Sequence, residues 1–135
     1  MKIEIKKRHN THNNDCWCDA ISMLTKQPYD KVYKMFKPML FLDGSLSENI
    51  VKGYLGTKDY LVLSIKDTKL YEAINTYNTT NGIIFIMRDV DDDNSHTIYM
   101  KGNVIYDTEQ NTYIEKMLYD YNVINVIMKL ENDYE

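Results

Sequence analysis

The hydrophobic positions follow two regimes along the chain. From Cys16 to Gly56 they recur at helical spacing, and after it they mostly alternate or run together as strands do. Cys16, Ala20 and Leu24 stand at every fourth position with Trp17 and Ile21 beside them, one face of an amphipathic helix. Asn13, Asn14 and Asp15 are helix-starting residues just ahead of it, and its end is expected near Lys26. Pro28 opens a second helix whose Tyr29, Val32, Tyr33 and Phe36 share a face, and Pro38 ends it. Ser45 and Glu48 have the offset of a capping box, so a third helix is predicted through Ile50, Val51, Tyr54 and Leu55, with Gly56 as its stop. Ahead of all three, residues 2–6 alternate as a short edge strand does, and residues 8–14 read as a polar loop.

In the second regime, residues 60–65 form a strand and Leu70, Ala73, Ile74 and Tyr77 mark a fourth helix. Residues 83–87 are apolar on both faces, as a central strand is. Residues 96–100 and 103–107 are two strands around Lys101-Gly102, and Tyr113, Ile114, Met117 and Leu118 suggest a short helix. Residues 122–130 close the chain as a strand with Ile124, Val126, Met128 and Leu130 on one face, and the last five residues are expected to fray. No repeat and no linker interrupts the pattern, so residues 1–135 are read as one α+β domain, helices packed on a mostly antiparallel sheet.

Charge and composition remove several classes of function. The net charge is −4 and the longest basic run is Lys6-Lys7-Arg8, too little for nucleic-acid binding. Residues 83–87 are the longest apolar run, far too short to span a bilayer, and the amino terminus lacks the apolar stretch of a signal peptide. A cytoplasmic protein is expected, with Cys16 and Cys18 as reduced thiols. One intervening residue also makes a disulfide between them geometrically poor.

Cys16 then changes the picture. It stands in the first helical turn, where unpaired N–H groups and the positive end of the helix dipole favour thiolate over thiol. Cys18 lies about 200° away around the axis, on the side of Ser22 and Thr25, and is expected on the polar, more exposed face. A cysteine that only packs is the ordinary alternative for Cys16. Against it stand His96, opening one strand, and Asp107, closing the next. If Lys101-Gly102 is a two-residue turn, Met100 faces Asn103, Ile98 faces Ile105, and His96 faces Asp107. Opposed residues share a face with Cβ atoms roughly 4.5–5.5 Å apart, so Asp107 can orient the imidazole and leave its other nitrogen as a base. Ile98, Met100 and Ile105 would then be the floor that packs on the Cys16 helix.

Two other clusters compete. His9, His12, Cys16 and Cys18 could supply four zinc ligands, but their spacing is poor for a structural site, and no metal is expected. Asp89, Asp91, Asp92 and Asp93 lack the order of a calcium loop and read as a solvated hairpin loop; in a functional role they would favour cationic substrates at the mouth of the cleft and nudge the His96 pKa upward.

Asp15-Cys16 opening a helix with Ala20 one turn on, Tyr29-Asp30-Lys31-Val32, Ser95-His96 opening a strand and Tyr106-Asp107-Thr108 closing the next resemble a small papain-fold cysteine peptidase, close to C39-like peptidases and short phage and bacterial papain-like proteins. The resemblance implies Cys16 as nucleophile, His96 as general base and acid, and Asp107 as orienting residue, in a cleft between the helical part and the sheet. That family commonly carries a glutamine oxyanion donor where Asn10 stands here. Asn10 and Asn14 are therefore the candidate side-chain donors, beside the Cys16 N–H. The Asp-Cys-Ser-Gly signature of the fold-related NlpC/P60 cell-wall peptidases is absent. The expected function is cysteine-dependent hydrolysis or acyl transfer at an amide or isopeptide bond of a protein or peptide substrate, without cofactor, in a bacterial or phage-infected cell. The alternative is a catalytically inactive binding protein of the same fold, such as a phage protein that blocks a host or defence factor.

Overall fold

The computed structural model describes residues 2–91 and 94–130. Asp92 and Asp93 of the acidic run, and the five terminal residues expected to fray, lie outside the described residues. The order is β1 (Glu4–Lys7), α1 (Cys16–Thr25), α2 (Tyr29–Phe36), a 3₁₀ turn (Lys37–Met39), α3 (Glu48–Gly56), β2 (Tyr60–Ser64), α4 (Leu70–Thr76), a second 3₁₀ turn (Thr79–Asn81), β3 (Ile83–Asp89), β4 (Ser95–Lys101), β5 (Val104–Asp107), α5 (Ile114–Asp120) and β6 (Tyr121–Lys129). The strands form one sheet in the order β1-β5-β4-β3-β6-β2. All pairs are antiparallel except β1 with β5. This is an α+β arrangement.

Strand alternation sorts side chains to two cores. One face of the sheet carries Ile84, Ile86, Tyr99 and Ile127 and is covered by Trp17, Ala20, Ile21 and Leu24 of α1, with Val32, Phe36, Val51 and Leu55 of α2 and α3 beside them. The other carries Phe85, Met87, Ile98, Met100 and Ile105 under Leu70, Ala73, Ile74 and Met117 of α4 and α5. The inward face read for α1 is thus the buried one. The floor read for it is not: Ile98, Met100 and Ile105 lie on the far side of the sheet. Residues 83–87 are buried on both faces because β3 has helices above and below it, the reason its sequence shows no alternation.

Three local readings are corrected. Ser47 caps α3, accepting from Asn49 N–H at 3.3 Å, while Ser45 hydrogen-bonds to Asp43. The β4–β5 register pairs Lys101 with Val104, Met100 with Ile105 and Tyr99 with Tyr106, so the turn residues are Gly102-Asn103. Gly102 has φ +61° at the first of the two loop positions, where a II′ turn places glycine. In β6 the register shifts by one at Ile124: Ile86 pairs with Asn125 and Met87 with Val123. The bulge splits the expected single face, sending Val123, Val126 and Met128 to the α4–α5 core and Ile124 to the α1 core.

Candidate active site

Cys16 is the first helical residue of α1, and the chain reaches it through two unusual positions. Asn14 is left-handed at φ +53°, and Asp15 does not cap its own helix. The Asp15 carboxylate, only 1% exposed, instead accepts from the N–H groups of Thr11 (3.0 Å) and His12 (3.2 Å) and from the Tyr29 hydroxyl (2.7 Å). The loop before the helix is folded back onto this carboxylate, and Tyr29 ties it to α2. Burial first, then the hydrogen bond to Asp15 and its charge, push the Tyr29 phenol well above its ordinary range. Its single proton goes to Asp15, so the His12 Nδ1–H, 3.1 Å away, donates to the hydroxyl. The His12 ring stacks on Tyr33 at 3.8 Å between centroids.

Residues 41–47 form one wall of a cleft of about 720 Å3 in front of Cys16. Asn14 Nδ2 donates to the Asp43 carbonyl at 2.7 Å and Trp17 Nε1 to the Gly44 carbonyl at 3.3 Å. Gly44, at φ +88°, crosses so close that a Cβ there would lie 2.4 Å from the Asn13 carbonyl oxygen. Asn10, Cys16 and Trp17 line the cleft from the α1 side, and Ser95, His96, Thr97, Thr108 and Glu109 line it from the sheet. Phe41 is at the rim, 60% exposed, and Leu42 beside it is fully exposed.

His96 Nε2–H donates to Asp107 Oδ1 at 2.5 Å. The two are not directly opposed as expected. Extending the β4–β5 register by one pair puts Asp107 across from Ile98, two residues from His96. A shift of two preserves the face, and a diagonal neighbour is within reach of an imidazole. Asp107 is fully buried, and its remaining capacity is met by Glu109 N–H on Oδ1 (3.0 Å) and Lys7 Nζ on Oδ2 (3.2 Å). With Nε2 committed to Asp107, Nδ1 is the ring's remaining nitrogen, and Cys16 lines the same cleft as His96. Burial alone would push His96 down, but hydrogen bonds and charge from Asp107 and Cys16 win and raise it to about 10. Burial likewise opposes ionisation of Asp107, and the His96 bond, the Glu109 N–H and the Lys7 charge hold it below the ordinary carboxylate range.

The remaining sequence candidates separate. Asn10 lines the cleft with Cys16. Asn14 does too, but its amide is engaged with the Asp43 carbonyl, so its visible work is holding the cleft wall. Cys18 is the reverse of its expected state: α2 packs over the side of α1 read as polar, and Cys18 is 0% exposed with its S–H directed at the Tyr29 carbonyl (3.6 Å). Burial pushes its thiol up to about 12. Ser22 and Thr25 sit beside it because their hydroxyls bond back to the Cys18 and Ile21 carbonyls, both at 2.7 Å. The four-ligand zinc cluster is not assembled, and no three His, Cys, Asp or Glu side chains among the described residues stand together as a metal site would need. Asp89, first of the acidic run, is buried and paired with Lys116 at 3.0 Å rather than solvated. The rise of His96 comes from Asp107 and Cys16.

Lys7 and Asp15 escaped the reading of the sequence. The signal for Lys7 was present: Ile3, Ile5 and Lys7 continue one inward row, so the lysine is carried to the end of a buried face. Asp15 looked like an ordinary cap because its use, back to Thr11 and across to Tyr29, depends on a loop conformation. The chain matches no protein-family model and no curated protein. No helix among the described residues is long and apolar enough to cross a membrane.

Proposed function

We propose that the protein is a papain-like cysteine-dependent acyl-transfer enzyme that cleaves or modifies an amide or isopeptide bond of a protein or peptide. The observation that supports this reading is that His96, its Nε2 held on the buried Asp107 carboxylate, shares an open cleft with Cys16 at the start of α1. In this reading the Cys16 proton passes to His96 Nδ1, and the thiolate adds to the substrate carbonyl. The Cys16 N–H, in the first helical turn, and the Asn10 amide are the donors for the tetrahedral oxyanion. The imidazolium returns the proton to the departing amine, leaving a Cys16 thioester. His96 then takes a proton from water, which adds to the thioester, and collapse releases the acid and the thiol.

The test needs no knowledge of the natural substrate. Exposure to an activated ester such as p-nitrophenyl acetate should acylate Cys16 once per chain, seen by intact mass and peptide mapping. His96→Ala should slow this by about 100-fold or more, and Cys16→Ala should abolish it. A second reading, a binding protein with a silent site, draws on the engaged Asn14 amide and on Phe41, exposed at the rim with Leu42 exposed next to it in sequence. Acylation no faster than that of a free thiol, and unchanged by His96→Ala, would select it.

A further inference from the structure

We propose that Lys7 is a fourth member of the site, a positioning residue that fixes Asp107 and the turn after it and whose ammonium balances the Asp107 carboxylate that faces His96. The inference rests on the reading of Cys16, His96 and Asp107 as one assembly. Lys7 pairs with Asp107 across the parallel β1–β5 ladder, so both side chains leave the sheet on the same face. The ammonium has three partners: Asp107 Oδ2 at 3.2 Å, the Glu109 carbonyl at 2.5 Å and the Thr112 carbonyl at 2.7 Å. Three donors of one charged group are thus spent on a single carboxylate and the turn that follows it. A surface lysine that only solvates has no such set of partners, and the Lys7 side chain is 31% exposed although the residue lies at the surface.

The arrangement has a chemical consequence. An isolated buried carboxylate on Nε2 would stabilise the imidazolium strongly, and an imidazolium that does not release its proton is a poor base for the attacking water. A second cation on the far oxygen of that carboxylate offsets part of the attraction while keeping Asp107 ionised. His96 is faced by Asp107 from β5, by Cys16 from α1 and by the Tyr121 ring edge from β6. Asp43, Glu48 and Glu109 share its cleft, with Glu48 paired to Arg88. Lys7 is the cation that contacts the Asp107 carboxylate. Lys6, next in sequence, points the other way over the Tyr106 ring and is a natural control.

The experiment is an NMR titration of the imidazole Cε1–H signals from pH 5 to 11. The chain has three histidines, and the His96 signal is assigned by its loss in His96→Ala. Lys7→Gln removes the charge and keeps a donor. It should raise the His96 midpoint by about half to one pH unit, a partly screened charge–charge effect. Lys7→Arg should restore the wild-type midpoint, and Lys6→Gln should leave it in place. A purely structural tether predicts the opposite sign, because a loosened Asp107 stabilises the imidazolium less. A fall or no change in Lys7→Gln therefore overturns the proposal. Cys16→Ser separates the two levels, since it should lower the His96 midpoint. If it does not, the assembly itself is wrong and the role of Lys7 falls with it; if it does and Lys7→Gln has no effect, only Lys7 is misassigned.

Discussion

His96 and Asp107 hydrogen-bond at 2.5 Å as diagonal rather than opposed residues of β4 and β5. The diagonal suits a histidine, whose ring extends along the strand direction as well as away from the sheet. It also sets Asp107 two pairs deeper than His96, beneath the turn that Lys7 holds, so the carboxylate is buried while the imidazole reaches the cleft.

This pair predicts a specific pH dependence of stability. His96 is raised from 6.5 to about 10, so its contribution is whole below about 6.5 and is lost as the pH rises through about 10. Asp107 is lowered, so at the acid end the same interaction is present above the ordinary carboxylate value and is lost as the pH falls through the lowered one. Thermal melts should show the advantage of wild type over Asp107→Asn shrinking by several degrees between pH 6.5 and 10. A difference constant over that range would mean that the two groups do not share a proton.

Removing the Asp15 carboxylate should destabilise the protein without touching the sheet. Asp15→Ala leaves the Thr11 and His12 N–H groups and the Tyr29 O–H proton without their acceptor, a cost of about 2–4 kcal/mol. Tyr29→Phe removes one of the three bonds and should cost about 1 kcal/mol. Urea unfolding of both variants checks the order, and an Asp15→Ala loss no larger than that of Tyr29→Phe would refute the shared-carboxylate account.

Gly44→Ala tests the cleft wall. A Cβ 2.4 Å from a backbone oxygen, on a residue at φ +88°, cannot be accommodated without moving residues 41–47, and about 1–3 kcal/mol of stability should be lost. The Asn14 and Trp17 bonds to this wall should weaken with it, and Trp17 fluorescence should report greater solvent contact. An unchanged melting temperature would show that the loop is not held as described.

Much of the fold was legible because its signals are local. The four-residue repeat of Cys16, Ala20 and Leu24 does mark the buried face of α1, and the unbroken apolar run at residues 83–87 does mark an interior strand. What failed was decided between elements or by one residue of register. Gly102-Asn103 is a turn signal in its own right, with glycine where φ must be positive, yet Lys101-Gly102 gives an equally short loop. The error was two pairs and so preserved the shared face of His96 and Asp107. The bulge at Ile124 is a one-residue shift, and it changed the face of everything after it. Cys18 was misread because burial on α1 is set by α2 as well as by the sheet, and Ser22 and Thr25 hide their hydroxyls in the helix itself. The pairing of Lys7 with Asp107 spans a hundred residues and depends on a parallel β1–β5 register that no local pattern announces.

The central claim, a thiol activated by His96, is tested most directly by alkylating each cysteine over a pH series and reading the two sites by mass spectrometry. Cys18 is buried and pushed up to about 12, so it should stay unlabelled in the folded protein. Cys16 should label rapidly even at mildly acidic pH, where an ordinary thiol is slow. In His96→Ala, Cys16 should slow about tenfold or more at that pH and Cys18 should not change. Cys16 labelling that follows an ordinary thiol and is indifferent to His96→Ala would contradict the account, and the cleft would then be a binding surface.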